Sequence, residues 1–338
     1  MSARESIIPV FVPHLGCPND CVFCNQRRIS GEQLPAGPET VKNAIESAAA
    51  FLPAGGKRQL AFYGGSFTAI PTAQQEALLD VAKAYLDAGV IHSIRLSTRP
   101  DAIDDVVLDR LKHYGVETIE LGAQSLDDEV LILSGRGHTA EDVENASKLI
   151  KARGFKLILQ MMTGLPGDSP EKDIETAKKI IALNPDGVRV YPTVIVRDTA
   201  LYDMWQAGTY PEHSVEAAVQ VCAELLPLFE AAGIPVIRLG LNPTDDLSGG
   251  DAAGGAYHPA LGEMVKSRIM LHRAESLLNG IEPGAELAIE VPRGKTSQMT
   301  GQKRSNIIYL KEKFSLKELK IKENPDLSGE IRLSRIEK

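Results

Sequence analysis

Three cysteines fall within one short stretch, Cys17-Pro18-Asn19-Asp20-Cys21-Val22-Phe23-Cys24, and the chain has one other, Cys222. Four cysteines scattered at random over 338 residues would produce this C-x3-C-x2-C spacing on the order of once in two thousand such chains. A single loop with that spacing turns three thiolates toward a common point. That donor set suits an iron–sulfur cluster in which one iron keeps an open coordination position. Zinc competes for the same thiolates, but a structural zinc takes four protein ligands, and only His14 or the distant Cys222 offers a fourth. Three clustered cysteines plus one isolated cysteine make a poor disulfide framework, which points to a reducing, cytoplasmic location.

The elements that must hold this loop alternate from residue 7 to about 240. Ile7 to Pro13 is a short β-branched, apolar run. Thr40 precedes a helix whose Val41, Ala44, Ile45, Ala48 and Leu52 follow the three-and-four spacing of one buried face. Gln59 to Tyr63 reads as a second strand, and Thr72 with Gln75 forms a capping box for the helix after it. Ile91–Ser97, Val116–Leu121, Lys156–Met162 and Gly187–Val194 are further strands, separated by helices near 103–113, 140–153, 170–183 and 214–232. Thr139 with Asp142 caps one helix, and Ser169-Pro170 places proline where a first helical turn tolerates it. Six β-α units in series imply an α/β fold with a parallel sheet. Six fall short of the eight of a closed barrel, so the expected architecture is a partial (β/α)6 TIM-type barrel.

After Gly240 the pattern changes. Asn242 to Gly262 carries Gly249, Gly250, Gly254, Gly255 and Gly262 and reads as a loop. A helix near 262–279, a strand near 286–291, a basic helix near 301–313 and a final pair of strands follow, giving a small C-terminal α+β extension. The expected domains are thus a core of residues 1–240 and an extension of residues 241–338. The net charge of −8 is uneven: from Arg293 onward there are 12 Lys and Arg against 6 Asp and Glu, so the first 292 residues carry −14. A basic tail on an acidic body is a candidate nucleic-acid footprint, with a solvated terminal lobe as the simpler reading. The apolar fraction of 43% and charged fraction of 24% are those of a globular protein. No apolar run reaches the length of a membrane span, and the first residues lack the shape of a signal peptide.

In a parallel barrel, reactive groups gather on loops leaving the C-terminal ends of the strands. The unusual residues sit there: Gly64-Gly65-Ser66 after the second strand, Ser97-Thr98-Arg99-Pro100-Asp101 after the third, Gly122-Ala123-Gln124-Ser125 after the fourth. Gln160, Met161 and Met162 close the fifth strand before Thr163-Gly164-Leu165-Pro166-Gly167, and Tyr191-Pro192-Thr193 with Arg197 ends the sixth. Cys222 lies on a helix face with Ala218, Val221 and Leu225 and reads as core. Gly294-Lys295-Thr296 fails as a phosphate loop, because Ile289 stands where its first glycine belongs. His258 is a loop histidine that either faces the substrate or has no role.

The cysteine spacing, the Gly64-Gly65 pair and the polar strand ends resemble the radical S-adenosylmethionine superfamily. Within it, Thr98-Arg99-Pro100-Asp101, Glu120-Leu121-Gly122-Ala123-Gln124-Ser125, Arg136-Gly137-His138-Thr139 and the stretch from Tyr191-Pro192-Thr193 to Leu201-Tyr202 resemble the radical domain of the Elongator catalytic subunit, over about residues 7–240. The resemblance implies that Cys17, Cys21 and Cys24 hold a 4Fe–4S cluster and that S-adenosylmethionine chelates its open iron. One-electron cleavage to a 5′-deoxyadenosyl radical, and hydrogen abstraction from a substrate, would follow. Gly64, Gly65 and Ser66 would let the backbone approach the methionine amino group. Gln124 and Arg136 match positions binding the ribose and the methionine carboxylate, Gln160 matches a ribose contact, and Ser97 stands where many relatives place an acidic residue near the ribose. A flavodoxin- or ferredoxin-type reductant is implied as partner.

The sequence departs from the Elongator pattern. The cysteine spacing is more compact, and the 98 residues after Gly240 are too few for an acetyltransferase domain. Three functions remain in play. A radical enzyme acting on tRNA or another RNA would use Lys295, Lys303, Arg304, Lys311 and Lys313 to track phosphates. A radical enzyme acting on a small molecule, like oxygen-independent coproporphyrinogen oxidase, fits the overall acidity and the sparse aromatics, 8 Phe, 8 Tyr and 1 Trp. A catalytically silent cluster- or RNA-binding module has only Ser97 in its favour.

Overall fold

A computed structural model of the protein describes residues 6–12, 17, 21–25, 36–51, 56–242 and 247–336. Pro13, His14, Leu52 and the 243–246 part of the glycine-rich stretch lie outside these residues. The chain divides into two compact units, residues 1–214 with 227–257, and residues 215–226 with 258–338.

The first unit is built on β1 (Ser6–Phe11), β2 (Arg58–Tyr63), β3 (Ser93–Thr98), β4 (Val116–Gln124), β5 (Lys156–Thr163), β6 (Gly187–Pro192) and β8 (Val236–Leu239). They form one seven-stranded sheet in the order β1-β2-β3-β4-β5-β6-β8. Every pairing in it is parallel. Helices at Pro38–Phe51, Thr72–Asp87, Asp105–His113, Ala140–Ala152 and Pro170–Leu183 make the crossovers. This is the expected half-barrel, with β8 added as a seventh strand. Its outer face is apolar and closed against the helices: Leu60, Phe62, Ile94, Leu96, Ile119, Leu121, Leu157, Leu159, Val188 and Val190 are fully buried.

Because side chains alternate along a strand, the residues between these point to the inner face. Most are polar, namely Gln59, Tyr63, Ser93, Arg95, Ser97, Thr118, Glu120, Gln160, Arg189 and Tyr191, with Ala61 and Ile158 as apolar exceptions. A barrel filled only to be stable stacks branched aliphatic side chains there. A polar lumen on an apolar-backed sheet is a place to hold something.

Local chemistry sets most boundaries as expected. Thr139 and Asp142 form a reciprocal capping box, with Thr139 Oγ1 accepting from the Asp142 amide and Asp142 Oδ2 accepting from the Thr139 amide at 3.2 and 2.7 Å. Ser169 caps the next helix, with Pro170 in its first turn. The expected capping box at Thr72 is corrected: Pro71 occupies the cap and makes no side-chain bond. Gln75 is instead buried, its Nε2 donating to the Thr68 and Ile70 carbonyls at 3.0 and 2.6 Å, because the turn before the helix leaves those acceptors unpaired.

The reading of Gly187–Val194 as one strand is also corrected. The chain breaks at Thr193 and starts β7 (Val194–Val196), which pairs antiparallel with β9 (Ala252–Gly255) inside the stretch expected to be all loop. Glycine is what permits that strand: Gly255 sits at φ +79°, and a Cβ there would lie 2.7 Å from the Thr193 carbonyl. Short helices at Asp128–Leu133 and Ala200–Gln206 complete this unit.

The second unit contains a helix at Leu261–Leu278 and a three-stranded sheet in the order β11 (Glu318–Glu323), β10 (Glu286–Val291), β12 (Arg332–Arg335). Met270, Ala274, Leu278, Ile289, Val291, Met299 and Leu310 form its core. The basic helix starts at Ser305, later than expected, because Lys303 and Arg304 adopt left-handed conformations that interrupt the helical run. Cys222 is fully buried, as expected of a core residue. His258 Nδ1 accepts from the Ala260 amide at 3.0 Å, which gives it a turn-closing role. Gly294 N and Thr296 Oγ1 both donate to Glu323 at 3.0 Å, so that turn is closed by a carboxylate, the opposite of a phosphate loop. Among the described residues, no helix is long and apolar enough to cross a membrane.

Candidate active site

The cysteine loop leaves the C-terminal end of β1. None of the three cysteines is in a disulfide; Cys17 is exposed, and Cys21 and Cys24 are half-buried. The loop is held from two sides: the Val22 amide donates to the Ser134 carbonyl at 3.0 Å, and the Leu201 amide donates to the Val22 carbonyl at 2.7 Å. Val22 and Phe23 pack on Ile195, Leu201 and Tyr210, which anchors the loop between Cys21 and Cys24. Among the described residues no three His, Cys, Asp or Glu side chains are gathered onto one metal-binding point. Although the residue is exposed, partial desolvation of its thiol by the surrounding rim, then the neighbouring Cys21, pushes Cys17 up; Arg136, the Ser66 backbone amide and Arg99 pull it the other way. Three cysteines outside any disulfide on one anchored loop, with Cys21 Sγ 3.3 Å from the Arg136 guanidinium, are a donor set that suits an iron–sulfur cluster.

The opposite rim comes from the ends of β2 and β3. Gly64 takes φ +99°, a conformation that suits glycine, and so turns the chain across the mouth. Ser66 is buried with its hydroxyl already engaged, 3.0 Å from Thr98 Oγ1 and accepting the Arg99 amide at 3.2 Å. What Ser66 presents to the cysteine loop is therefore its backbone amide. Arg99 grips Asp101 in a two-pronged pair at 2.9 and 3.0 Å, and its Nη2 also donates to the Arg136 carbonyl at 2.7 Å.

Arg136 is thereby fixed from behind. Its Nη2 donates to the Gly122 carbonyl at 2.7 Å, and its Nη1 reaches Cys21 Sγ at 3.3 Å. The structure thus brings an expected carboxylate-binding arginine to an expected cluster ligand, 115 residues away in sequence. Gly122 makes room: a Cβ there would lie 2.9 Å from Gln124 Nε2 and 3.2 Å from Arg136 Nη2. Gln124, at the tip of β4, takes φ +64° where the register between β4 and β5 shifts. A non-glycine residue in that region is strained, and such positions concentrate at functional sites. His138 places Nε2 3.2 Å from the Ala123 carbonyl, and burial, then Arg136, pulls its pKa down to about 4, so it is neutral at pH 7.

Below the rim, Ser97 and Gln160 line the lumen on either side of β4. Ser97 Oγ is buried without a hydrogen-bond partner. Gln160 Nε2 donates to Glu120 Oε2 at 2.9 Å. Glu120 is fully buried and ion-paired to Arg95 at 2.7 Å and Arg189 at 2.8 Å. Burial acts to lower the Arg189 pKa, but Glu120, then the Tyr191 and Tyr63 hydroxyls, outweigh it and the net shift is upward. Burial, then Glu120, pushes Tyr63 up to about 12. Nothing in the sequence alone marks Arg99, His138 or Glu120 for a role. All three lie in segments quoted above for their resemblance, which was the available signal.

A second buried polar cluster closes the end of β5. Asp168 accepts the Gly164 and Ser169 amides at 3.1 and 2.9 Å, Tyr210 donates to the Gly164 carbonyl at 2.6 Å, and His213 Nε2 lies 3.1 Å from Thr163 Oγ1. Burial, then the Asp168 charge beside it, pushes Asp173 up to about 10, so Asp173 keeps its proton for Asp168. Its native pKa lies above its unfolded value of 3.8, so the folded state holds the extra proton between them and stability falls as pH rises through that window. The limiting slope is about 1.4 kcal/mol per pH unit. Asp173→Asn is expected to flatten this decline, measured as a smaller drop in Tm between pH 6 and pH 9 than in the native protein. An unchanged drop would contradict the proton assignment.

Comparison with known proteins places the site in context. A family model described as the Radical SAM superfamily matches residues 11–180, and one described as the Radical_SAM C-terminal domain matches residues 185–270. The chain is 32% identical over 193 residues to Elongator complex protein 3 of Saccharomyces cerevisiae, covering 51% of this chain and 34% of that protein. It is 36% identical over 129 residues to a tRNA uridine(34) acetyltransferase of Methanocaldococcus infernus, covering 37% of this chain and 24% of that protein. The chain thus spans about a third or less of the length of these relatives. Among solved structures, Elp3 of Methanocaldococcus infernus with an N-terminal deletion superposes with a TM-score of 0.63 at 23% identity, over 80% of this chain and 63% of that one. Coproporphyrinogen III oxidase of Escherichia coli superposes with a TM-score of 0.51 at 22% identity, over 68% and 53%. Both likenesses concern the fold. With the superfamily model covering half of the chain, and the cysteine loop, Gly64 turn and half-barrel in place, the protein belongs to the radical S-adenosylmethionine superfamily.

Proposed function

We propose that this enzyme uses S-adenosylmethionine to start radical chemistry on an RNA substrate, tRNA before others. Its cofactors are a 4Fe–4S cluster and S-adenosylmethionine. When bound, they supply the one-electron cleavage that creates a hydrogen-abstracting adenosyl radical. The observation that carries the reading is the convergence of Arg136 on Cys21 and Gly122 at the mouth of the polar half-barrel.

In this reading Cys17, Cys21 and Cys24 hold the cluster, and Gly64, Gly65 and the Ser66 backbone lie along the methionine end of the cofactor. Arg136 binds the methionine carboxylate with its planar fork. Gln124, Gln160 and Ser97 face the ribose. Residues 1–240 form the catalytic core, and the extension of residues 241–338 contributes the substrate surface. Gly122→Ala would press on Gln124 and Arg136 together. It should weaken S-adenosylmethionine binding by roughly tenfold without unfolding the protein, because one displaced charged hydrogen bond is worth about 1.5 kcal/mol or more. Calorimetric titration beside a thermal melt checks this.

The RNA substrate is favoured by the relatives of the radical domain and by the basic extension. Lys303 and Arg304 are exposed and line a groove of about 540 Å³, in which Glu323 is already engaged by Gly294 N and Thr296 Oγ1, so the two cations are what the groove offers a phosphate. Lys295 and Lys311 add charge nearby in sequence, while Lys313 is partly neutralised by Glu275 at 2.6 Å. The test is binding of bulk tRNA by the cluster-reconstituted protein at low salt, with affinity falling as salt rises. Absence of binding, together with turnover of a small molecule such as a porphyrinogen, would transfer the enzyme to the second reading.

A further inference from the structure

The lumen holds one carboxylate to which the cofactor contacts above give no work. Glu120, on β4, is fully buried. Arg95 Nη1 donates to it at 2.7 Å, Arg189 Nη2 at 3.0 Å, Gln160 Nε2 at 2.9 Å and the Tyr63 hydroxyl at 3.4 Å. Burying a carboxylate at this depth is costly unless it is paired, and two guanidiniums pair it. Neutralising the arginines explains the ion pairs. It does not explain why a glutamine from the next strand also turns to the same carboxylate.

The two ends of a glutamine amide are nearly the same size and differ only in hydrogen-bonding sense: the NH2 donates and the carbonyl accepts. A carboxylate held by two guanidiniums accepts and has nothing to donate. Glu120 therefore admits only one orientation of Gln160, with Nε2 toward β4 and Oε1 turned away from it. Oε1 has no partner among the described residues and offers acceptance alone. Across β4, at the position paired with Glu120, Ser97 presents a buried hydroxyl that also lacks a partner. Ser97 can donate or accept, so the choice falls to Gln160 Oε1, whose natural complement is a ligand bringing an O–H donor.

We propose that Glu120 is a positioning residue that locks the Gln160 amide so that this level of the half-barrel selects a ligand carrying hydroxyl donors, the ribose hydroxyls of S-adenosylmethionine. The inference rests on the reading that Gln160 faces that cofactor. Glutamine at position 120 would keep the size and lose the lock, because its own amide can present either end. Gln160 would then populate both orientations, and the one with its NH2 outward rejects a donor.

The experiment titrates cluster-reconstituted protein with S-adenosylmethionine and with its 2′-deoxy and 3′-deoxy analogues by calorimetry, alongside thermal melts. The native protein should bind S-adenosylmethionine about tenfold more tightly than at least one deoxy analogue, the worth of one well-made hydrogen bond. Glu120→Gln should lose most of that preference while binding of that analogue changes little. Gln160→Leu leaves both ion pairs of Glu120 in place, so it tests the same preference if Glu120→Gln does not fold. It should lose the preference as well, and the double variant should lose no more than either single one. A folded Glu120→Gln protein that keeps the full preference, or Gln160→Leu that keeps it, overturns the inference. A native protein that binds S-adenosylmethionine without any preference for the ribose hydroxyls also overturns it. Absence of S-adenosylmethionine binding by the native protein would instead overturn the proposed function itself.

Discussion

Cys24→Ser should leave a folded protein that loads little iron and forms no 5′-deoxyadenosine above background. A serine hydroxyl is a hard, poorly acidic ligand that replaces thiolate badly on iron. Cys24 ties its own amide to the Cys21 carbonyl at 3.0 Å, and that bond does not need the sulfur, so the loop keeps its shape. Cys222→Ser supplies the control. Cys222 is fully buried on a helix, and its replacement should cost stability but leave iron per protein unchanged. Equal iron loading by Cys24→Ser and native protein would remove the cysteine loop from the account.

The second large effect is on stability. Glu120→Ala strands Arg95 and Arg189, whose side chains are only 11% and 14% exposed, without their shared carboxylate. Breaking one partner out of a buried ion pair costs about 3–5 kcal/mol, because the remaining charge stays desolvated. For a chain of this size that corresponds to a fall in Tm on the order of 10 °C. Replacing all three charges together with apolar residues of similar volume should cost less than the single change, which separates the penalty of a stranded charge from the worth of the network. A Glu120→Ala melt within about 2 °C of native would mean that water reaches the lumen freely enough to solvate both arginines.

Much of this architecture is legible in the sequence because it rests on local patterns. Strands such as Lys156–Thr163 are β-branched or apolar runs with turn residues at their ends. Helices such as Ala140–Ala152 announce themselves by the cap at Thr139 and by the buried positions Val143, Ala146 and Ile150. What local pattern misses is short or non-local. Val236–Leu239 is only four residues long and carries Arg238, so nothing marks it as the seventh strand until β6 lies beside it. Gln75 looked like a cap because its spacing from Thr72 is right, and the carbonyls that claim it belong to the preceding turn.

The site divides the same way. The cysteines are legible because three ligands share one loop. Arg136 and Gln124 are legible as resemblances, but the approach of Arg136 to the cluster loop depends on a contact with Cys21, 115 residues away. Glu120 was invisible as a hub because its partners Arg95, Gln160 and Arg189 lie 25, 40 and 69 residues away. A polar residue alternating along a strand reads as solvent-facing. Only the curl of the sheet turns that face into a lumen.

The central claim is that this chain runs radical chemistry from S-adenosylmethionine. The most direct measurement is anaerobic reconstitution with iron and sulfide, reduction by dithionite, and quantitation of 5′-deoxyadenosine and methionine by mass spectrometry. The account predicts equimolar 5′-deoxyadenosine and methionine, dependent on cluster and reductant and lost in Cys24→Ser. A protein that carries a full 4Fe–4S cluster and binds S-adenosylmethionine, yet releases neither product under these conditions, would contradict it.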